Sequence, residues 1–548
     1  MRDMREMKNA CQIVALIATS NDRNSLLFNR ALPSVFRQTR RPDAIVVVDD
    51  NDEERVSCEI AKRIELCRGR FPNIFYVRNS RTRHMSGTGA WNTGISFVAK
   101  EFGEESYVGI LDDDDEWLDS HLSVCSSLIC GKSGDAANAV FAWLRRDDCR
   151  LDLKFSARHM RPESFLAGNP GIQGSNMFFR IGALTRINGF DESLASCTDR
   201  DLMTRFLLEF GSRSVRIVNQ VTVLHHSGPG TVTSDGKAKK LGLDLFYKKH
   251  LGKFDSETLG SSLSRAERLF SYPNGTTVRR AFRDEITRRS NEVIAIGVMV
   301  HDDAKTIKRC LMSILRQKGL TRRVEIVVQD DDSHDNWEME VKELLDQRKL
   351  TMTIRRVKIG NVAKARTELN RYIVEQIPNV ALIGRLDADD EFANENALSG
   401  IERAYDMSGG ADLVLGGNFL RAGALGRKLR RVNRADRRLC ERVYLLERLR
   451  KMACGVKTAE LPSCNMFLSP HAVVPYPALQ SAEDHALLVH YLLCADRYNV
   501  VFAEDCLPVI YSLGGNVTAG NKRRRTYLES RKELYKEAMI HVGQSDAY

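Results

Sequence analysis

Seven residues, Leu111-Asp112-Asp113-Asp114-Asp115-Glu116-Trp117, carry the densest chemistry in this chain. Four consecutive carboxylates repel one another unless a cation sits among them, and closely spaced hard oxygen ligands suit Mg2+ or Mn2+. Such an ion would in turn hold a diphosphate. The device recurs as Leu386-Asp387-Ala388-Asp389-Asp390-Glu391-Phe392, so both copies read Leu-Asp-x-Asp-Asp-Glu-aromatic. A lone acidic run is more often a solvated turn, whereas two copies in matching contexts favour the metal reading. Asp199 and Asp484 each open an apolar helix. A carboxylate there meets the positive end of the helix dipole.

These residues need a scaffold, and the apolar pattern supplies one. Gln12–Ala18, Ala44–Val48, Ile74–Val77 and Tyr107–Leu111 are short apolar runs separated by amphipathic stretches, the pattern of strands alternating with helices. The continuous run Ala44–Val48 suits a strand buried on both faces of a parallel sheet. The expected class is α/β with mostly parallel sheets, in which ligands sit outside the carboxyl ends of the strands. Thr19, Asp50 and Asp112 all fall there. Asn176 and Asn465, in matching Asn-Met-Phe strands, would touch a ligand or satisfy backbone groups. Trp91 and Trp117 read as packing residues.

From about Val293 the pattern restarts. Val293–Met299 and Val324–Val328 repeat the first two strands, and Leu311-Met312-Ser313-Ile314-Leu315-Arg316-Gln317 answers Leu32-Pro33-Ser34-Val35-Phe36-Arg37-Gln38. Asp484 stands 285 residues after Asp199 (484 − 199), as Ser512 does after Ser227 (512 − 227). On that offset His225 and His226 face Ile510 and Tyr511. A repeat of half the chain is a duplicated domain, not a solenoid. The expected division is residues 10–252, a helical connection over 253–291, and residues 292–548.

Composition limits the remaining choices. The 548 residues exceed what one core usually supports, and 43% hydrophobic with 28% charged residues is a globular balance. No run is apolar enough for a membrane span, and Met1–Asn9 lacks the apolar stretch of a signal peptide, so a cytoplasmic protein is expected. Thirteen cysteines without a Cys-x-x-Cys pair suit reduced thiols better than disulfides or zinc. The net charge of +10 points to an anionic partner, with basic residues gathered in Arg427–Arg450 and Asn521–Arg525. Most of these read as solvated helix faces. Peripheral contact with the inner face of a membrane or with an anionic glycan stays open.

The ordered set resembles the nucleotide-sugar-dependent inverting glycosyltransferases of family 2. It comprises a strand ending in Thr-x-Asn, a strand ending in Asp-Asp, and Gly-rich sequence before Asn92-Thr93-Gly94-Ile95. Leu-Asp-x-Asp-Asp-Glu-Trp, Gly189-Phe190-Asp191-Glu192 and a late Asp-bearing helix complete it. The resemblance covers both halves, and the tandem arrangement is similar to bacterial two-domain polysaccharide polymerases such as chondroitin and heparosan synthases. It implies a Rossmann-like GT-A fold in each half, UDP-sugar donors, a glycan acceptor, and transfer of hexosyl or N-acetylhexosaminyl units with Mn2+ or Mg2+. It implies that Asp50 and Asp331 receive the base, with Thr19 and Asn21 lining the same pocket and Asp113 beside the nucleotide. Asp112, Asp114, Asp387 and Asp389 would hold the metal with His226, and Asp199 and Asp484 would be the catalytic bases. Thr198 departs from the Glu usual before that Asp, whereas Glu483 keeps it. Competing expectations are that one half alone turns over, or that degenerate domains form a glycan- or nucleic-acid-binding scaffold.

Overall fold

The computed structural model describes residues 11–545 apart from 21–22, 84–85, 130–135, 148–149, 227–235, 347–350, 423–430, 435–436, 457, 459–462, 478, 480–482, 494–497, 504–508 and 513–525. The chain divides into two compact units, Met1–Arg279 and Arg280–Tyr548.

Unit one is built on β1 (Ile13–Thr19), β2 (Ala44–Asp49), β3 (Ile74–Arg78), β4 (Tyr107–Asp112), β5 (Glu116–Trp117), β6 (Ala139–Arg146), β7 (Leu151–Leu153), β8 (Met177–Arg180) and β9 (Val215–His225). They form one sheet in the order β3-β2-β1-β4-β8-β6-β9-β5, with β7 against β6. The four leading strands run parallel, and β8 is antiparallel to both its neighbours. Successive strand residues point to opposite faces, so the uninterrupted apolar run of β2 feeds two cores. Val46 and Val48 join Trp91, Ile95 and Phe179 on one face, and Ile45 and Val47 join Leu32, Val35 and Ile60 on the other.

Unit two repeats this plan with β10 (Val293–Val300), β11 (Arg323–Asp331), β12 (Thr351–Val357), β13 (Val380–Asp387), β14 (Glu391–Phe392), β15 (Leu413–Gly416), β16 (Asn418–Ala422), β17 (Arg431–Arg434), β18 (Met466–Leu468), β19 (Val500–Ala503) and β20 (Val509–Ser512). Its main sheet has the order β12-β11-β10-β13-β18-β15-β19, which matches unit one from β3 to β9, while β14, the counterpart of β5, lies in a separate sheet of order β14-β20-β16-β17. Helices Ser256–Phe270 and Gly275–Ser290 occupy the stretch between the two repeats. The unit boundary falls inside the second, whose Arg289 pairs with Glu285 and Asp406. No helix among the described residues is long and apolar enough to cross a membrane.

Register equates the two units residue by residue at the functional edge. Ala18 lies opposite Asp112 on β4 and Thr19 opposite Asp49 on β2, while Met299 lies opposite Asp387 and Val300 opposite Asp330. Thr19 therefore matches Val300, and Asp50 matches Asp331.

One contact of the core is mirrored between the units. A Cβ on Gly94, in the helix Thr88–Phe102, would stand 2.3 Å from Leu16 Cδ1 of β1. In unit two the glycine is on the strand, where a Cβ on Gly297 would stand 2.6 Å from Leu369 Cδ2 of the helix Val362–Gln376. Each unit fits one leucine between helix and sheet and places a glycine opposite. Gly94→Leu alone should destabilise unit one through overpacking by roughly 1–3 kcal/mol, seen as a lowered urea midpoint. Adding Leu16→Gly should recover part of that loss, and no recovery would disprove the exchange.

Candidate active site

The acidic turn of unit one is a set of four carboxylates with four different surroundings. Asp112, the last residue of β4, has its backbone N–H on Ser175 Oγ at 3.1 Å, and Ser175 Oγ reaches its Oδ2 at 3.3 Å. Asp113 is turned inward: Thr19 Oγ1 donates to it at 2.8 Å and it is buried. Asp114 meets the Arg23 guanidinium at 3.0 Å, and the same guanidinium reaches Asp113 at 3.4 Å. Asp115, fully buried, accepts from Ser175 Oγ at 2.5 Å and from the backbone N–H of His226 at 2.8 Å, and lies 3.0 Å from His225 Nδ1. Burial, then neighbouring carboxylates, raises the proton affinity of three of them. Asp112 is held well above the usual carboxylate range, Asp113 is pushed up to about 7, and Asp114 is raised. Burial alone would depress His225, but the Asp115 hydrogen bond and the charges of Asp115, Asp112 and Asp114 hold its pKa above the ordinary value. Added positive charge is what this turn lacks.

Unit two keeps the turn and changes what surrounds it. Asp387 faces Arg366 at 3.3 Å and Arg385 at 3.8 Å. Asp389 is pushed up to about 7 by burial and by the charges of Asp387 and Asp303. The buried hydroxyl–carboxylate pair Thr19–Asp113 is replaced by Val300 and Ala388, both in the core, so a polar pair has become an apolar one on both sides at once. Asp390 is buried as Asp115 is, with Cys464 where unit one has Ser175.

Both turns are held by the same three residues, which the sequence pattern presented only as a repeated helix. Ser34 Oγ accepts from the backbone N–H of Trp117 at 3.1 Å, and Ser313 Oγ from that of Phe392 at 2.9 Å. Gln38 bridges Leu118 O and the backbone N–H of Leu122, as Gln317 bridges Asn394 O and that of Leu398. Arg30 donates to Asp114 O and Arg309 to Asp389 O, each at 2.6 Å. The repeated Arg, Ser and Gln at matching spacing were the available signal.

The other expected site residues divide into those at the edge and those committed elsewhere. Asp50 is buried and accepts from Asn79 Nδ2 at 2.5 Å, and Asp331 accepts from the backbone N–H groups of Ile359 and Gly360 at 2.6 and 3.0 Å. Asn21 lies outside the described residues. Asn176 and Asn465 are fully buried and donate to backbone carbonyls, Ala142 and Gly171 for the first and Gly416 for the second. The His226 ring turns away to Asp147 and Glu116, and His225 is the imidazole at the acidic turn. The expected match of His225 and His226 to Ile510 and Tyr511 is off by one. Glu116 pairs with Leu224, and its counterpart Glu391 pairs with Ile510, so His225 matches Tyr511 and His226 matches Ser512. One residue of slip turns every side chain to the other face of a strand.

Asp199 is the second residue of the helix Thr198–Phe210, and Asp484 holds the same place in Glu483–Leu493, though its side chain lies outside the described residues. Cys197 precedes the first helix in the left-handed region at φ 64°. The next acid along, Asp201, is tied to Arg205, Lys249 and His250. Asp199 accepts no hydrogen bond among the described residues, and burial pushes its pKa up to about 6 against the opposing charges of Lys239 and His225. A half-buried carboxylate with proton affinity near neutrality, in electrostatic range of His225, is equipped to accept a proton.

The residues also suit a divalent ion. No centre among the described residues gathers three or more potential ligands. Mg2+ and its like take one or two carboxylates and leave the other positions to phosphate oxygens and water, which two acidic turns of this composition satisfy. A Cβ on Gly174 would stand 3.2 Å from Asp112 Oδ2, so the glycine keeps the approach to that carboxylate open.

Duplicated α/β units with carboxylates at the carboxyl ends of parallel strands define the class to which nucleotide-diphosphate-binding sugar transferases belong. The family described as glycosyl transferase family 2 matches residues 15–185 and 295–467, one stretch in each unit and together well over half the chain, and the protein belongs to that family. The tandem arrangement and its GT-A α/β architecture follow. No curated protein matches the chain. Among solved structures, S. aureus TarS 1-349 is similar at 20% identity and TM-score 0.30, over 40% of this chain and 60% of that one, less than two thirds of its length. The same protein in complex with UDP-GlcNAc is similar at 17% identity and TM-score 0.32, over 46% and 72%. Mannosyltransferase PcManGT from Pyrobaculum calidifontis, in complex with GDP-Man and Mn2+, is similar at 16% identity and TM-score 0.35, over 52% and 81%.

The raised proton affinity of Asp199 has a stability signature. A carboxyl whose pKa is higher in the folded than in the unfolded chain favours folding below its unfolded pKa, and that advantage is lost as pH rises through about 6. Asp199→Asn should therefore stabilise unit one at pH 8 by on the order of 1–3 kcal/mol, seen as a raised thermal midpoint, and have little effect near pH 4. A midpoint lowered at pH 8 would contradict this surrounding for Asp199.

Proposed function

We propose that the protein is a metal-assisted inverting glycosyltransferase with one donor site in each unit, moving sugars from nucleotide-diphosphate donors of the UDP type to a glycan acceptor. The domain limits proposed are 10–252 and 292–548, with 253–291 as a helical connection. Two sites would let one chain add two sugars in alternation to a surface polysaccharide. The +10 charge favours an anionic partner, and action in the cytoplasm with peripheral contact to a membrane or charged glycan is part of the same proposal.

The observation that carries this reading is the placement of Asp199. Its carboxylate is held near neutral proton affinity, unbonded among the described residues and in electrostatic range of His225, which reaches Asp115 of the acidic turn. An acceptor hydroxyl oxygen bonds to the anomeric carbon, the bond from that carbon to the diphosphate oxygen breaks, and the hydroxyl proton passes to Asp199. Asp112 and Asp387 would hold the divalent ion with Asp114 and Asp389, and His225 rather than His226 lies on the side of the turn. When bound, the ion would act as a Lewis acid against the diphosphate's growing charge. Asp50 and Asp331, with Thr19 at the same strand edge, are proposed to shape the nucleotide pocket. Asp113, buried between Thr19 and Arg23, would position that edge without touching the nucleotide.

A second reading is that unit one alone turns over. Ser175, His225 and Thr19 of unit one become Cys464, Tyr511 and Val300 in unit two, and this asymmetry favours it.

The test is to supply the purified chain with a panel of nucleotide sugars and read released diphosphate and transfer. Asp199→Asn should lower transfer from unit one by roughly 10²–10⁴-fold while leaving nucleotide binding in place. Asp112→Ala and Asp387→Ala should each remove activity with a different donor if both units work. Full activity of either variant with every donor would leave a single working site. Absence of nucleotide-sugar binding with and without Mn2+ would support a scaffold instead.

A further inference from the structure

Asp201, on the same helix as Asp199 and one turn position further in, is fully buried and tied on every side. It accepts from Arg205 Nε at 2.8 Å and from His250 Nε2 at 2.8 Å, and Lys249 Nζ stands 2.7 Å from its Oδ1. Lys249 and His250 close the helix Gly236–His250, so one carboxylate joins that helix to Thr198–Phe210. Two of its partners reach further: Arg205 also donates to the carbonyls of Ile187 and Gly189, and Lys249 pairs with Asp191. Burial alone would raise Asp201, but the His250 hydrogen bond and the charges of Arg205 and Lys249 hold it well below the usual carboxylate range. Burial keeps His250 below its ordinary pKa, so its ring is a neutral donor to Asp201. Asp199 has no such ties. It accepts no hydrogen bond among the described residues, and Cys197 supplies no capping side chain to the helix start. Its place is therefore set by the first turn, which Asp201 holds together with Arg200, itself bonded to Phe165 O and Ser262 Oγ.

Unit two does without the network. The offset of 285 that takes Asp199 to Asp484 (484 − 199) takes Asp201, Arg205, Lys249 and His250 to Ala486, His490, Leu534 and Tyr535. Contacts support that match, since Arg200 lies over the Phe246 ring at 4.2 Å and their counterparts His485 and Arg531 lie in electrostatic range of each other. Ala486 and Leu534 are buried in one apolar cluster, with Tyr535 packed against it. Apolar packing is thus enough to seat such a helix, and a buried ion network replaced by well-packed apolar groups is often no less stable. What the ions add in unit one is a fixed geometry. We propose, on the reading of Asp199 as the base of unit one, that Asp201 with Lys249 and His250 is its positioning group, fixing the first turn so that the Asp199 carboxylate meets the acceptor hydroxyl. Buried as it is, Asp201 touches neither donor nor acceptor and acts through the backbone between it and Asp199. A displacement of about 1 Å at a reacting atom is enough to cost roughly 10²-fold in rate.

Transfer by the full chain is measured with the donor of the panel whose use Asp112→Ala abolishes, so that unit one alone is read, and UDP binding by calorimetry is the control. Asp201→Asn should lower kcat by roughly 10²-fold while KM for the donor and the affinity for UDP hold. In an Asp199→Asn background the same change should cost little more, because a positioning residue then has nothing left to position. Removing one partner of a buried ion set can unfold a unit, so the unit-two solution is made as well: Asp201→Ala, Arg205→His, Lys249→Leu and His250→Tyr together. That transplant should keep the thermal midpoint of unit one and lose kcat to the same degree. Equal losses from Asp201→Asn with and without Asp199, a transplant with full kcat, or a transplant that unfolds would each overturn the inference. A normal kcat in Asp201→Asn overturns it and leaves Asp199 as the base, whereas full transfer by Asp199→Asn removes the base and this inference with it.

Discussion

Crowding of like charge at the end of a central strand is the constraint on which the rest of the architecture depends. A parallel sheet lines up its strand ends, and β4 and β13 each deliver their acidic turn next to the end of the first strand of the unit. Burial and mutual repulsion make those carboxylates hard to ionise unless positive charge is supplied. Each unit answers with fixed cations from different places: Arg23 and His225 in unit one, Arg366 and Arg385 in unit two. The shared clamp of Arg, Ser and Gln, from the segment that follows the first strand of each unit, holds the turn in position despite the repulsion.

Duplication makes the chain its own control. What the units share, namely the order of the leading strands, the clamp and three of the four carboxylates of the turn, holds the turn at the strand edge. What differs tends to differ in pairs. Thr19 with Asp113 becomes Val300 with Ala388, and Leu16 against Gly94 becomes Gly297 against Leu369. A buried carboxylate without its hydroxyl, or two leucines where one fits, would destabilise the unit, so both members of each pair change together. The site differences have another character. Ser175 to Cys464 and His225 to Tyr511 alter hydrogen bonding at the edge without disturbing the core.

Much of this was legible in the sequence for definite reasons. Strands buried on both faces read as unbroken apolar runs, and a doubled motif stands out against a chance acidic run, so the α/β class, the repeat and the two turns followed directly. Contacts between distant residues of ordinary type did not. Thr19 and Asp113 are 94 positions apart and Ser175 and Asp115 are 60, and nothing local marks either partner. The sequence also set Asp113 beside the nucleotide, although the first and third residues of such a turn point one way and the second points into the protein. The pairing of His225 was placed one residue off, because an offset counted from the following loop does not fix strand register. Asn176 and Asn465, open between sugar and backbone, are explained by the carbonyls they satisfy.

The central claim is that a divalent ion and a nucleotide diphosphate meet at Asp112 and Asp387. Anomalous difference density from crystals of the full chain grown with Mn2+ and UDP tests it most directly. The account predicts one manganese peak beside Asp112 and one beside Asp387, each bridged to diphosphate oxygens. Peaks away from both turns, or UDP bound with its diphosphate facing another edge of the sheets, would contradict it.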